Sequence, residues 1–342
     1  MKKIISVLII FIMLFSAAVP AFASADLTAS AVSAEAESSS SFFKTVISEI
    51  KDFFNRIGDF FRKLFGNKPI EVPAEPPETI TAPDDSSEMH LVWNDEFNSG
   101  SLDSTKWTLR AKMNQSDIKN STDERNVKVE NGELVMRTWK EDDGTYSTNT
   151  SVTTDGTMSY KYGYLEMYAN VPFVEGCWPS FWMQSKNIHR TVPYMTEIDM
   201  FEIYDTRNTV TSNIHKWYSD SDEHYQAGGR KWSYIFKRRI NLNNEYHLYG
   251  FGWTPDEMYF TVDGKIYFRY DLSQDFGDRG DGMQGFNDPV YIIFNNFIFT
   301  ENSSWKNPPV NNKTKWPITY KIDWIRLYQK DGEGEIFDDT GF

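Results

Sequence analysis

The chain has 342 residues, with 49 Asp and Glu against 35 Lys and Arg, for a formal charge of −14. Such a balance repels duplexes and polyphosphates, so no nucleic-acid partner is expected, and a neutral ligand is favoured over a polyanion. Aromatic residues reach 16%, which suits either a protein that stacks rings on flat apolar faces or an aromatic-rich β core.

At the N-terminus Lys2 and Lys3 precede an apolar stretch, Ile4 to Phe15, and then small residues at Ala21, Ala23 and Ala25. This pattern predicts a signal peptide over residues 1–25; an uncleaved anchor is the other reading. With one cysteine, Cys177, no intrachain disulfide can form, and a domain of this size needs none. Together these features suggest a protein secreted by a bacterium, free outside the cell or associated with its surface. Residues 26–40 are rich in Ala and Ser and read as a linker. From 41 to 66 the residues Phe43, Val46, Ile47, Ile50, Phe53, Phe54, Ile57, Phe60, Phe61 and Leu64 recur at three- and four-residue steps, and Gly66 and Pro69 follow. The spacing predicts an amphipathic helix. Either it contacts a membrane or cell surface through 42–65, or it docks on the rest of the chain or on itself. Residues 67–88 carry prolines and acids and read as a second linker.

From 89 to 330 the texture changes to short alternating runs separated by turn residues. Tyr162, Tyr164, Glu166, Tyr168 and Asn170 face one way, and Leu165, Met167, Ala169 and Val171 the other. Similar runs occupy 133–138, 245–253, 259–262, 265–270, 290–299 and 319–328, and Asp263-Gly264 marks a two-residue hairpin turn. Many short strands over roughly 240 residues predict an all-β fold, an antiparallel β-sandwich. An acidic tail, 331–342, follows.

The chemistry concentrates in Glu197-Ile198-Asp199-Met200-Phe201-Glu202. A regular strand would put Glu197 and Asp199 on one face and Glu202 on the other; one extra residue at Met200-Phe201 restores all three acids to one face. The two glutamates would then be about 13 Å apart at Cα, so a carboxylate pair about 5–5.5 Å apart requires a curved sheet with the acids on its concave side. The alternatives for the hexapeptide alone are a solvated acidic strand or a cation site. Trp178 and Trp182, four residues apart, share a strand face and form either a platform for sugar rings or core packing. Asn213, His215 and Trp217 alternate on another strand, where His215 either tunes the acids or is structural.

These residues resemble glycoside hydrolase family 16. The resemblance is carried by the hexapeptide 197–202, by Trp93-Asn94-Asp95-Glu96-Phe97, Glu124-Arg125-Asn126-Val127, Tyr162-Gly163-Tyr164-Leu165-Glu166 and Gly176-Cys177-Trp178-Pro179-Ser180-Phe181-Trp182-Met183. Trp253-Thr254-Pro255-Asp256, Val262-Asp263-Gly264-Lys265 and Ile322-Asp323-Trp324-Ile325-Arg326-Leu327-Tyr328 follow in order. The resemblance implies a curved jelly roll with a concave substrate groove and a retaining endo-glycosidase, with Glu197 as nucleophile, Glu202 as acid and then base, and Asp199 bonded to Glu197 in support. It also implies substrate contacts from Trp178, Trp182, Arg125 and Asn126, with His215 and Trp217 beside them. A structural calcium near Glu96, Gly132 and Asp323 is implied too, and no cofactor for catalysis. The substrate it implies is a β-1,3- or β-1,3(4)-glucan; another β-glycan (galactan, agar-type or xyloglucan) or non-hydrolytic carbohydrate binding are the alternatives. One block departs: laminarinases usually read a Gly-Gly-ended strand where this chain has Ile293-Phe294-Asn295-Asn296-Phe297-Ile298-Phe299. A monomer is expected.

Overall fold

A computed structural model describes residues 75–340, apart from 111–115, 150, 187–193, 205–208, 219, 222, 234–241, 243–244, 274–284 and 304–306. The expected signal peptide, first linker and amphipathic helix lie outside the described residues. Two units divide between Glu71 and Val72, and everything below concerns the second.

The alternating runs become strands because each has one apolar face to bury. One sheet runs, by pairing order, through Lys265–Asp271, Glu257–Val262, His247–Trp253, Gly163–Asn170, Ile318–Gln329, Glu133–Lys140, Tyr146–Asn149 and Ile118–Ser121. The other runs through His224–Ser233, Thr209–Tyr218, Tyr194–Glu202, Cys177–Ser185, Val290–Ile298, Ser151–Thr153 and Thr108–Arg110. About half of the neighbours in pairing order are distant in sequence, as long crossovers of a jelly roll require. Among the described residues there is no helix long and apolar enough to cross a membrane.

The inward faces meet in one core. Leu165, Met167, Ala169 and Val171 enter it with Tyr249, Phe251, Trp253, Ile325 and Leu327 from the first sheet. Phe181, Met183, Ile198, Ile214, Ile292 and Phe294 enter from the second. Rings cross between the layers, with Phe201 and Tyr249 centroids 4.8 Å apart. The hairpin at Asp263-Gly264 has φ of 52° and 67°, the twisted turn that joins right-handed strands directly.

Two boundaries move. The expected linker 67–88 includes a strand, Thr79–Thr81, paired with Glu88–Asp95; Ile80 and Ala82 pack with Met89, Tyr164, Tyr259 and Tyr328. The expected tail 331–342 contributes Glu335–Asp338, paired with Met158–Lys161, with Ile336 packed on the core and Asp339 ion-paired to Lys186 at 3.0 Å. Both segments are too polar overall to signal strands, yet one or two apolar residues suffice when an open strand edge offers backbone partners.

Candidate active site

The acidic hexapeptide ends the strand Tyr194–Glu202, which is flanked on both sides. Against Thr209–Tyr218, Asp199 pairs Asn213 while Glu202 pairs Thr211, so three steps on one strand match two on the other. Against Cys177–Ser185, Phe201 pairs Phe181 and Asp199 pairs Trp182, leaving Met200 over. This is a β-bulge. Met200 and Phe201 both point into the core, 2% and 1% exposed, and the three acids share the outer face.

Glu202 is almost buried. Trp178 Nε1 donates to its Oε1 at 3.0 Å, and Tyr204 bonds to it as well. Burial raises its pKa above the usual carboxylate range, opposed by the bonds from Tyr204 and Trp178 and by the nearby His215. A carboxyl that resists ionisation is suited to giving a proton. Trp178 is itself fixed, stacked on Phe299 at 5.3 Å and 13° and lying 5.6 Å from Tyr204. Its visible work is therefore to orient Glu202.

Glu197 keeps partial exposure, while Asp199 is 2% exposed. His215 pairs Glu197 across the strands, and its Nε2 lies 3.1 Å from Asp199 Oδ2. Burial lowers the pKa of His215, against the charges of Glu197 and Glu202, which raise it. Ligating atoms of Glu197, Asp199 and His215 converge within 4.8 Å, and no metal is assigned to the cluster.

On the other side of the acids, Trp182 is 7% exposed, packs with Tyr291 and Ile293, and donates Nε1 to Asn295 Oδ1 at 3.0 Å. The two asparagines of the atypical strand therefore separate. Asn295 faces outward and holds Trp182, whereas Asn296 faces inward, its Oδ1 2.9 Å from Cys177 Sγ and its carbonyl accepting from Thr148 at 2.8 Å.

Other expected contacts lie elsewhere. Arg125 pairs with Glu141 and sits over the Trp139 ring at 5.4 Å. Asn126 has no exposed surface, and its amide donates to the Arg137 and Ser147 carbonyls at 3.0 Å. It braces the first sheet and offers nothing to a ligand, because a buried polar side chain must satisfy itself within the protein. Trp217 lies on the outer face two residues from His215, stacked on it at 5.0 Å and 12°.

For calcium, the pairings Ile325 with Asp95 and Ile322 with Leu134 bring Glu96, Gly132 and Asp323 to one end of the first sheet. Both Glu96 oxygens are taken by Arg326, at 3.0 and 2.7 Å. Asp323 is pushed up by burial and by Glu133 and Glu96, an acid whose charge a cation would relieve. A cation here would thus rest on Asp323 and backbone carbonyls, not on the Glu96 carboxylate.

The family model for glycosyl hydrolases family 16 matches residues 114–326. The chain belongs to that family. Glucan endo-1,3-beta-glucosidase A1 of Niallia circulans is 26% identical over 269 residues, covering 71% of this chain and 38% of that protein; the chain spans well under half the length of that relative. Among solved structures, the laminarinase catalytic domain from Thermotoga maritima MSB8 has a TM-score of 0.58 at 25% identity, covering 71% of this chain and 98% of that one. A structure described under endo-acting O-glycanases of the human gut microbiota, which initiate mucin breakdown, has a TM-score of 0.62 at 27% identity, covering 75% and 95%. In this family 16 domain the signals for Glu197, Asp199 and Glu202 are in the local sequence. That for Tyr204 is local too, two residues after Glu202, whereas those for Asn295 and His224 depend on which strands become neighbours.

Proposed function

We propose that the protein is a secreted, retaining endo-β-glycosidase acting on β-1,3- or mixed β-1,3/1,4-glucan. The observation that carries this reading is the bulge, which sets Glu197 and Glu202 on one face with Asp199 between them. Glu197 attacks the anomeric carbon while Glu202 delivers its proton to the departing glycosidic oxygen. In the second half Glu202, now ionised, takes a proton from water, and the water oxygen displaces Glu197 with net retention. Asp199, held by His215, supports the charge of Glu197.

The glucan assignment draws on the relatives named above. Mucin-type O-glycan is the second reading, favoured by the likeness to endo-acting O-glycanases. Product sizing on laminarin, lichenan, xyloglucan, agarose, carrageenan and mucin O-glycans tests both. Cleavage of mucin glycans with laminarin and lichenan untouched replaces the first reading with the second; no cleavage of any removes both.

Trp178→Phe removes a donor that favours ionised Glu202. The alkaline limb of kcat/KM should then move up by about one pH unit, because the acid stays protonated to higher pH. A limb that stays put or moves down contradicts the assignment of Glu202 as acid. Calcium belongs to the same proposal, held by Asp323 and the backbone near Gly132. Thermal denaturation with EGTA and with added calcium checks it: Tm should fall by several degrees without the ion, and identical curves reject the site.

A further inference from the structure

Each ring nitrogen of His215 has a close polar neighbour. Nε2 lies 3.1 Å from Asp199 Oδ2, and Nδ1 lies 2.8 Å from Nε2 of His224. The imidazole planes are 16° apart with centroids at 5.0 Å. Given the nitrogen contact, the rings meet edge to edge in nearly one plane and are not stacked face to face. Trp217 lies parallel to both, at 5.0 Å and 12° from His215 and 4.5 Å and 3° from His224. Each ring is therefore fixed by a hydrogen bond and an aromatic neighbour. The hydrolysis set out above makes no use of His224, which sits exposed on the strand at the sheet edge.

We propose that His224 is a positioning residue that fixes the tautomer of His215 and delivers solvent protons to it, and so sets the charge beside Asp199 and Glu197. The inference rests on Glu197 and Glu202 being the reacting pair. The Asp199 carboxylate 3.1 Å from Nε2 electrostatically favours hydrogen on that nitrogen over hydrogen on Nδ1. In neutral His215, Nδ1 is then a lone pair, and Nε2–H of His224 is the group that donates to it. Protonation runs from the outside inward. A proton from water binds His224 at Nδ1, and the hydrogen between the rings passes from His224 Nε2 to His215 Nδ1. The result is a His215 imidazolium beside Asp199 and a neutral His224 carrying its hydrogen on Nδ1. Two hydrogens cannot occupy the space between the rings, so the pair takes up one proton, not two, and titrates as a unit.

The groups facing this pair are Glu197, Asp199 and Glu202 on the carboxylate strand. Burial lowers His215 first, and Glu197 and Glu202 oppose it; burial and then His215 lower His224. The pair is accordingly neutral near pH 7 and becomes cationic below the ordinary histidine range. In that state it favours the ionised forms of both Glu197 and Glu202, which helps the nucleophile and weakens the acid.

Two variants of the full chain separate this role from simple stacking. His224→Phe keeps a ring against Trp217 but has no donor, and kcat should fall about tenfold with KM within about twofold. Its acid limb should also move to higher pH, since the His215 imidazolium loses its acceptor and Glu197 loses the cation that favours its ionised form. His224→Gln loses the ring but can donate or accept at Nδ1, and should recover most of kcat and shift the limb back. The reverse ranking, or a Phe variant with wild-type kcat and pH profile, overturns the proposal. Long-range proton–nitrogen NMR gives a readout independent of turnover: both histidines should show the Nε2–H tautomer at neutral pH and titrate together. A His215 carrying its hydrogen on Nδ1 overturns it. If the wild type cleaves no glycan, the hydrolase reading fails while the NMR result still decides the relay.

Discussion

Glu197→Gln should leave a folded protein that no longer cleaves glycan, with kcat down on the order of 10⁴-fold or more. An amide has no charge to attack the anomeric carbon and cannot form the glycosyl ester, so both half-reactions are lost together. Glu197 retains partial exposure on the outer face, so the exchange should move Tm by no more than about 2 °C. The paired measurement is reducing-sugar release and differential scanning calorimetry. Full activity with unchanged Tm would remove Glu197 as nucleophile, whereas lost activity with a collapsed Tm would point to misfolding. For the wild type, proton NMR of the first-formed product should show the β anomer; an initial α product would exclude double displacement.

Glu202→Gln has a different signature. General acid–base assistance contributes about 10²- to 10⁴-fold, so a substrate with a poor leaving group should lose that much. An aryl glycoside of the same sugar should lose far less in its first step, since its leaving group departs without a proton. Added azide should restore turnover and give the β-glycosyl azide, because it needs no base to attack the ester on Glu197. Equal losses on both substrates with no azide rescue would deny Glu202 the acid–base role. Stability moves the other way. Burial raises the Glu202 pKa in the folded state, so the wild type is most stable while this group is protonated and loses stability as pH rises through the raised value. Gln stays neutral throughout, so the variant should match or exceed the wild-type Tm at pH 8.

The fold and the shared face of the three acids were legible in the sequence from strand periodicity, which the fold obeys and the hexapeptide breaks by one residue. The alternation at 162–171 put Leu165, Met167, Ala169 and Val171 on one face, and that face lies in the core. Counting along 197–202 demanded an extra residue, and the register supplies it at Met200. What counting cannot reach is pairing between strands far apart in sequence. His224 meets His215 only because Trp217 pairs His224 across the edge hairpin, and Asn295 meets Trp182 because Ser180 pairs Asn295. Asn126, a substrate contact only by the family resemblance, is claimed by two backbone carbonyls inside the first sheet. Trp178 and Trp182 were placed on the correct strand face, but their indole N–H groups are committed to Glu202 and Asn295.

The extra residue at Met200 also bears on how faithfully the sheet assembles. A uniform strand between two neighbours has competing alignments two residues apart that keep every side chain on its own face. Here the carboxylate strand is irregular against both neighbours, opposite Phe181-Trp182 on one side and between Thr211 and Asn213 on the other. A slipped alignment would have to lose both irregularities at once and would leave Met200 or Phe201 facing water. The bulge thus works as a key during folding: it marks the alignment in which both irregularities are met, and that alignment is the one that assembles the acids.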